Sequence, residues 1–299
     1  VRALVTGSQG FVGSYLVKSL VKDGWNVYPF DMRLGNDIRD YEQVRTAVEK
    51  QQPEAIFHLA AVAWPGESIT DPRRTFDVNV TGALNLLEAM RHTGSDARVL
   101  LAGTSEEYGY EGWGTDTITE DSPCRPTTPY GVTKLTQTTL GMAYARRHHL
   151  RVVATRAFNH TGHGRQGVNA ESAFARRIVE VERGLATVVE HGNLSSRRNF
   201  TNVRDVVRAY RLLVDSGQDG IFNVGSDYSI TMQTLLGMMI EMSVFPKIKT
   251  RQREGLGAPD RNASTFPDVS FEKIRALGWA PEVSLADTLH EVLNYWRSQ

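Results

Sequence analysis

The stretch "TPYGVTK", residues 128–134, sets Tyr130 and Lys134 four positions apart directly behind a proline. Thr128 suits a helix N-cap and Pro129 the first helical position. Tyr130 and Lys134 therefore share one helix face, about 6 Å apart at Cβ. An ammonium beside a phenol favours the phenolate and draws down a pKa that starts near ~10. That would make the tyrosine a proton donor or acceptor near neutrality. Earlier, in "LLAGTSEEYG", an apolar run of strand type ends in Thr104, Ser105 and Glu106. Strand ends of this kind form the carboxyl edge where doubly wound sheets bind ligands. A hydroxyl next to a carboxylate there orients a substrate hydroxyl and exchanges protons with it, whereas the bland alternative is a turn cap. Tyr-x-x-x-Lys alone is common by chance. Its company decides the reading.

That company begins at "TGSQGFVG", where Gly7, Gly10 and Gly13 follow the first apolar run and a helical pattern starts at once. Glycines let the backbone turn tightly and approach a pyrophosphate, which rests on the N–H groups of the helix start. Gly7, Gln9, Gly10, Phe11, Val12 and Gly13 are thus one side of a dinucleotide site. Asp31 ends the second apolar run, close to the ~20-residue separation at which a carboxylate holds the adenosine ribose hydroxyls. Arg33 stands two residues on and would attract a 2′-phosphate, so NAD(H) is favoured and NADP(H) stays open. Asp37 and Ile38, in "GNDIRD", follow so soon that the strand usually lying between these features is missing or vestigial. "AIFHLAAVAW" offers small residues, Ala60 and Ala61, against which a flat ring can lie, with Leu59 beside them on the cofactor side, or plain close packing. Asn79 interrupts an apolar helix face, and a buried Asn needs partners, either the cofactor or a second element. Asn159 leaves a strand in "TRAFNHTGHG", and "SSRRNF" carries Arg197 and Arg198. Arginine grips phosphate with a planar fork, which makes Arg198 a candidate for a diphosphate and leaves Arg197 as surface. The histidines show no metal-ligand spacing, so no metal is expected.

The elements that must hold these residues follow from periodicity. "RALVTG", "NVYPFD", "AIFHLA", "RVLLAG" and "RVVATRAF" read as buried strands, and amphipathic stretches lie between them. Strand–helix alternation over half the chain predicts an α/β fold with a doubly wound parallel sheet. Residues 1–158 form the expected dinucleotide-binding domain, with 199–224 returning to it. Residues 159–198 and 225–299 form a smaller C-terminal substrate lobe. Equal numbers of acidic and basic side chains, 34 of each in 299 residues, give no reason to expect nucleic acid or an anionic membrane as partner. The single cysteine, Cys124, excludes an internal disulfide. No apolar run approaches the ~18 residues of a membrane span, and the chain opens on an apolar strand without a signal peptide. A cytoplasmic protein is expected.

Together the stretches "TGSQGFVG", "DIRD", "HLAA", "NVTGALNLLEA", "TSEEYG", "PYGVTK", "FNHTG", "RRNFTNVRDVV", "FNVGS" and "LGWAP" resemble the extended short-chain dehydrogenase/reductase family that acts on nucleotide sugars. They run almost end to end and in family order. "RPTTPYGVTK", "FNHTGHGRQ" and "RRNFTNVRD" are most similar to the GDP-4-keto-6-deoxy-mannose reductases, then to the GDP-mannose 4,6-dehydratases. The resemblance implies a Rossmann-type fold with Tyr130 as catalytic acid/base and Lys134 on the nicotinamide ribose. It puts Thr104 and Ser105 at the reacting sugar and Asn159 and Arg198 at the diphosphate, with Arg261 of "DRNAS" added to that grip. It implies a nucleotide-sugar substrate, GDP-sugar first, and a homodimer paired through helices at 73–92 and 130–149. The expected reaction is reduction of a 4-keto sugar. The rivals are a 4,6-dehydratase, for which Glu106 would be the base at sugar C5, and a 4-epimerase. A non-catalytic nucleotide-sensing member has no need of Tyr130, Lys134 and Thr104 together. The shortened link from Asp31 to Asp37 departs from the family around the adenine. The chain is also short for a GDP-mannose dehydratase.

Overall fold

Runs of Val, Leu, Ile and Phe bounded by turn residues bury both faces of a strand, and they do so here. The computed structural model describes residues 1–109, 117–165, 167, 169–227, 229–245, 247–256 and 268–299. In chain order the strands are β1 (Arg2–Thr6), β2 (Asn26–Phe30), β3 (Ala55–His58), β4 (Arg98–Thr104), β5 (Arg151–Ala157), β6 (Asn159–Thr161), β7 (Val189–His191), β8 (Arg197–Asn202), β9 (Gly220–Val224), β10 (Ser229–Thr231) and β11 (Thr250–Gln252). The helices are α1 (Phe11–Lys22), α2 (Tyr41–Gln51), α3 (Pro65–Thr70), α4 (Pro72–Phe76), α5 (Gly82–Thr93), α6 (Pro129–His148), α7 (Ala170–Glu182), α8 (Val203–Asp215), α9 (Met232–Glu241), α10 (Glu272–Arg275) and α11 (Leu285–Ser298). Six strands form one parallel sheet in the order β2-β1-β3-β4-β5-β9. This is the doubly wound, Rossmann-like architecture that the alternation predicts.

Two cores sandwich the sheet. Val5, Phe57, Leu100 and Val153 face one side with Leu16, Leu20 and Tyr210, while Leu4, Ile56, Leu101 and Ala154 face the other with Val44, Leu86 and Met90. Successive strand residues point to opposite faces, which is why each apolar run feeds both cores. Within the sheet β2 is an edge strand. From Asp31 to Asp40 the chain makes a 3-10 turn at Met32–Leu34 and reaches the N-cap of α2 without another strand. The stretch expected as one helix at 73–92 is α4 and α5 joined through a π-helical turn, Asp77–Thr81.

The C-terminal part has a core of its own, built from Phe174, Ile178, Leu235, Met239, Leu289 and Val292. Two small sheets border it, β10-β8-β6 and β11-β7, which periodicity does not reveal because their strands are three to six residues long and largely polar. Asp205, fully buried in the first turn of α8, joins that helix to the tail. It accepts the amides of Glu282 (3.1 Å) and Val283 (3.0 Å), and its own carbonyl accepts the indole N–H of Trp279 (3.0 Å). Asp205→Ala strands both amides, and we expect it to lower the urea-unfolding free energy by about 2–4 kcal/mol. Asp205→Asn, which keeps one acceptor, should lose about half as much; an unchanged midpoint in both would show that the tail is held by packing alone.

Candidate active site

Helix α6 starts where its sequence says it should. The Thr128 hydroxyl oxygen accepts the Gly131 amide at 3.0 Å and Pro129 fills the first turn. Tyr130, Lys134, Gln137, Thr138 and Gly141 form its buried face, the i, i+4, i+7, i+8, i+11 stripe of one helix side. That stripe lies against the end of β4. A Cβ at Gly131 would sit 2.7 Å from the Glu106 carbonyl, so only glycine permits this approach. The Thr128 hydroxyl also donates to Glu106 Oε2 at 2.8 Å, which ties the cap of α6 to the turn after β4.

Thr104 ends β4 and caps that turn, a 3-10 segment at Ser105–Glu107, in a reciprocal capping box with Glu107. The Tyr130 phenol lies within hydrogen-bonding reach of the Thr104 side chain. Thr104, Ser105, Glu106, Tyr130 and Lys134 are all buried. The structure thus brings together the two chemical motifs that the sequence holds 22 residues and more apart. One expectation needs correcting. Tyr130 does not have a lowered pKa: burial pushes it well above the ordinary phenol value, Glu106 pushes it further, and the Thr104 bond only partly opposes them. Lys134 is instead turned to Gln137, donating to Oε1 at 2.9 Å, and burial lowers its own pKa to about 8 against the pull of Glu107. The i, i+4 spacing gives proximity, but it cannot give burial.

The glycine-rich turn lies at the same sheet edge. Gly7 adopts a left-handed φ of +68°, and a Cβ there would meet the Leu59–Ala60 backbone at 2.7 Å. A Cβ at Gly13 would lie 2.1 Å from the Gly7 carbonyl. Gly10 donates its amide to Gly7 O at 3.0 Å, and Phe11, Val12 and Gly13 form the first turn of α1. Their amides have no intrahelical acceptor and face outward, as an anion requires. The Ser8 hydroxyl is buried there without a protein partner. These features fit a pyrophosphate. Asp31 accepts the amides of Gln9 and Arg33, each at 2.9 Å, and Arg33 returns its guanidinium to the Gln9 carbonyl at 3.0 Å. Asp37 is paired with Arg39 at 2.6 Å, which holds its carboxyl below the usual range, and Ile38 is buried against Gly82. Leu59, Ala60 and Ala61 are half-buried beside the turn. Asn79 is a tie: Oδ1 accepts the Val62 amide (2.8 Å), and Nδ2 donates to Val62 O (3.2 Å) and Thr133 Oγ1 (3.0 Å).

In the three-stranded sheet, β6 and β8 pair so that Asn159 stands beside Phe200. Arg198, two residues before Phe200, projects to the same face of that sheet. Arg197 donates to Ser229 O at 3.1 Å from the exposed end of β8. Arg261 lies outside the described residues. Three residues escape the motif reading. Glu107, the second carboxylate of "SEE", is fully buried and paired with Arg156 at 3.0 Å. His58 is fully buried; it takes the Thr6 hydroxyl on Nδ1 at 2.9 Å, and burial together with Lys134 lowers its pKa to about 3. Arg165 covers the Phe11 ring, 5.1 Å from its centroid, and bonds to Asn169. The doubled glutamate is a visible signal for the first of these. The other two have none.

The model of the NAD dependent epimerase/dehydratase family matches residues 3–225. The chain is 28% identical to GDP-6-deoxy-D-mannose reductase of Pseudomonas aeruginosa, over its whole length and 98% of the relative. A solved structure of RMD from Pseudomonas aeruginosa complexed with NADPH superposes with a TM-score of 0.88 at 27% identity, covering 99% of both chains. A UDP-glucose 4-epimerase from Thermus thermophilus in complex with NAD gives a TM-score of 0.85 at 27% identity, again over 99% of both chains.

Proposed function

The chain belongs to the NAD dependent epimerase/dehydratase family of NAD(P)-dependent enzymes, and from that premise we propose that it reduces a nucleotide-linked 4-keto-6-deoxy sugar, GDP-4-keto-6-deoxy-mannose first, to the 4-hydroxy sugar. The observation that carries the reading is the buried Tyr130 phenol, which keeps its proton beside Thr104. Reduction needs that protonated state from the start. A reduced nicotinamide, when bound, would supply hydride for C4. Tyr130 would give its proton to the carbonyl oxygen, Thr104 would orient that oxygen, and Lys134 would hold the ribose beside them. The C=O bond becomes H–C–OH, and Tyr130 regains a proton from solvent. Asn159 and Arg198 would grip the diphosphate. Likeness along the whole length to GDP-6-deoxy-D-mannose reductase supports the GDP-sugar.

NAD(H) is the favoured cofactor. Asp31 keeps its carboxylate at the turn that would receive the adenosine ribose, and a 2′-phosphate there meets like charge. Arg33 is drawn to the Gln9 carbonyl. Likeness to a protein solved with NADPH keeps NADP(H) as the alternative. The second reading, a 4,6-dehydratase or 4-epimerase, has Glu106 and the likeness to a UDP-glucose 4-epimerase in its favour. A homodimer completes the proposal, because Phe76, Leu84 and Val132 leave apolar side chains exposed on α4, α5 and α6.

Tyr130→Phe removes the proton donor alone, so turnover of the keto sugar should fall at least ~10²-fold while cofactor binding survives. Near-normal turnover in that variant sinks the assignment. Glu106→Gln should retain NAD(P)H oxidation to within about 10-fold, since reduction needs no base at C5. The wild type should leave GDP-mannose unchanged when given NAD alone. A 4-keto-6-deoxy product from GDP-mannose, abolished by Glu106→Gln, would establish the dehydratase instead. Light scattering at micromolar concentration should return twice the chain mass, and a clean monomer would rule out the pairing of helices.

A further inference from the structure

Phe11 opens α1, so its amide belongs to the glycine-rich turn, but its ring serves a different element. The His160 ring lies parallel to it, with centroids 6.4 Å apart and 4° between the planes. The Arg165 guanidinium covers the same ring, 5.1 Å from its centroid. Tyr15, one turn further along α1, meets Phe11 edge-on at 5.7 Å, and its hydroxyl donates to the His163 carbonyl at 2.8 Å. Gly162 permits the approach, since a Cβ there would lie 2.8 Å from Cγ1 of Val203 and 3.8 Å from the Phe11 ring. His160, Gly162, His163 and Arg165 all lie on the segment that begins with Asn159. The helix that would receive a cofactor and the segment that carries a candidate diphosphate ligand thus meet side chain to side chain.

Arg165 sets the geometry of that meeting. Nη1 donates to the His160 carbonyl, Nη2 donates to Asn169 Oδ1 at 3.0 Å, and Nε lies 3.1 Å from Glu171 Oε1. Glu171 is buried in the first turn of α7 and balances the guanidinium charge. A planar fork held from three directions has one orientation, and here its face rests on Phe11. The His160 ring is fixed as well, its Nδ1 donating to the Phe158 carbonyl at 3.0 Å. On the far side the Ser172 hydroxyl donates to the Arg165 carbonyl at 2.8 Å and accepts the Trp296 indole N–H of α11 at 2.9 Å. The segment is therefore fastened to the C-terminal core by hydrogen bonds and to α1 chiefly by the Phe11 ring.

We propose that Arg165 is a positioning residue: it clamps residues 159–165 onto the Phe11 ring, so that cofactor bound at the start of α1 also orders the segment presenting Asn159 to the sugar nucleotide. The proposal rests on the reading of the glycine turn as the cofactor site and of Asn159 as a diphosphate ligand. Its test is hydrogen–deuterium exchange on the full chain with NADH as the only ligand, so failure of the sugar assignment leaves it readable. In the wild type, saturating NADH should slow exchange in the first turn of α1 and, by about tenfold, in peptides covering residues 158–165, a usual size for coupling between two sites. Arg165→Met keeps the apolar stem without the fork, and Arg165→Lys keeps the charge as a point. In both, NADH should still protect the α1 turn while the protection of residues 158–165 is largely lost. Phe11→Leu keeps the amide and removes the flat ring, and it should give the same pattern; it decides the matter if the Arg165 variants do not fold. Wild-type protection of the α1 turn alone would overturn the proposal, as would protection of residues 158–165 that survives unchanged in Arg165→Met and Phe11→Leu. Protection of neither region in the wild type would overturn the cofactor reading and the proposal with it.

Discussion

Burial of an ammonium and a phenol in one seam, where α6 presses against the carboxyl end of β4, is the constraint on which the rest depends. Removing an ion from water costs several kcal/mol unless partners replace the lost hydration. The seam supplies a partner: Gln137 accepts from Lys134 at 2.9 Å and in turn donates to the Ala102 carbonyl at 3.1 Å. Close approach makes that possible. Gly131 lets α6 touch the Glu106 carbonyl, Gly103 leaves space for the Glu107 carboxylate, and Gly141 avoids Leu101. A side chain at Gly131 would push α6 off the Glu106 carbonyl, one at Gly103 would run into the Thr155 carbonyl and the Glu107 carboxylate, and one at Gly141 would displace the Leu101 side chain.

The parallel sheet turns this local seam into a site. Its strands end at one edge, so the glycine turn after β1, the half-buried alanines after β3 and the Thr104 turn after β4 open toward the same side. Thr6 shows how tightly the edge is organised. Its hydroxyl oxygen accepts the amides of Leu59 and Ala60, each at 3.2 Å, and its proton goes to His58. One side chain thus locks the end of β1, before the glycine turn, to the end of the neighbouring strand. The separate core under β8, α7, α9 and α11 supports the strands that carry Asn159 and Arg198 without borrowing apolar surface from the sheet.

Much of this is legible in the sequence because it is local. Apolar runs name the five strands β1 to β5, and Thr128 with Pro129 marks the start of α6. The missing strand after Asp31 shows as a short interval before Asp37. What stays hidden depends on distance or on polar strands. Glu107 finds Arg156 49 residues away, and nothing in "SEE" announces which glutamate will meet it. The strands "NHT" and "RRNFTN" lack apolar alternation, so their pairing with each other comes only from the fold. Asn79 is readable as a residue in need of partners, but whether they are cofactor or protein is set by the loop after β3. The sign of the Tyr130 shift is hidden for the same reason. Spacing reports a neighbour, and only packing reports how much water is left.

That shift bears on the direction of catalysis. A dehydratase or an epimerase starts by oxidising the sugar, and its tyrosine must first take a proton from a hydroxyl. Burial and the nearby Glu106 make Tyr130 a poor acceptor until something lowers its pKa. A reductase asks the opposite: the phenol must hold its proton until the carbonyl oxygen gains charge. Glu106 has a second engagement that points the same way. Its carboxylate accepts the Thr128 hydroxyl that caps α6, a bond that occupies one oxygen and fixes its orientation. A carboxylate used as a base at sugar C5 would have to work while keeping that helix cap in place. Under the proposed reduction, Glu106 serves the tyrosine, through its bond to the cap of the helix that carries it and through its upward push on the phenol pKa.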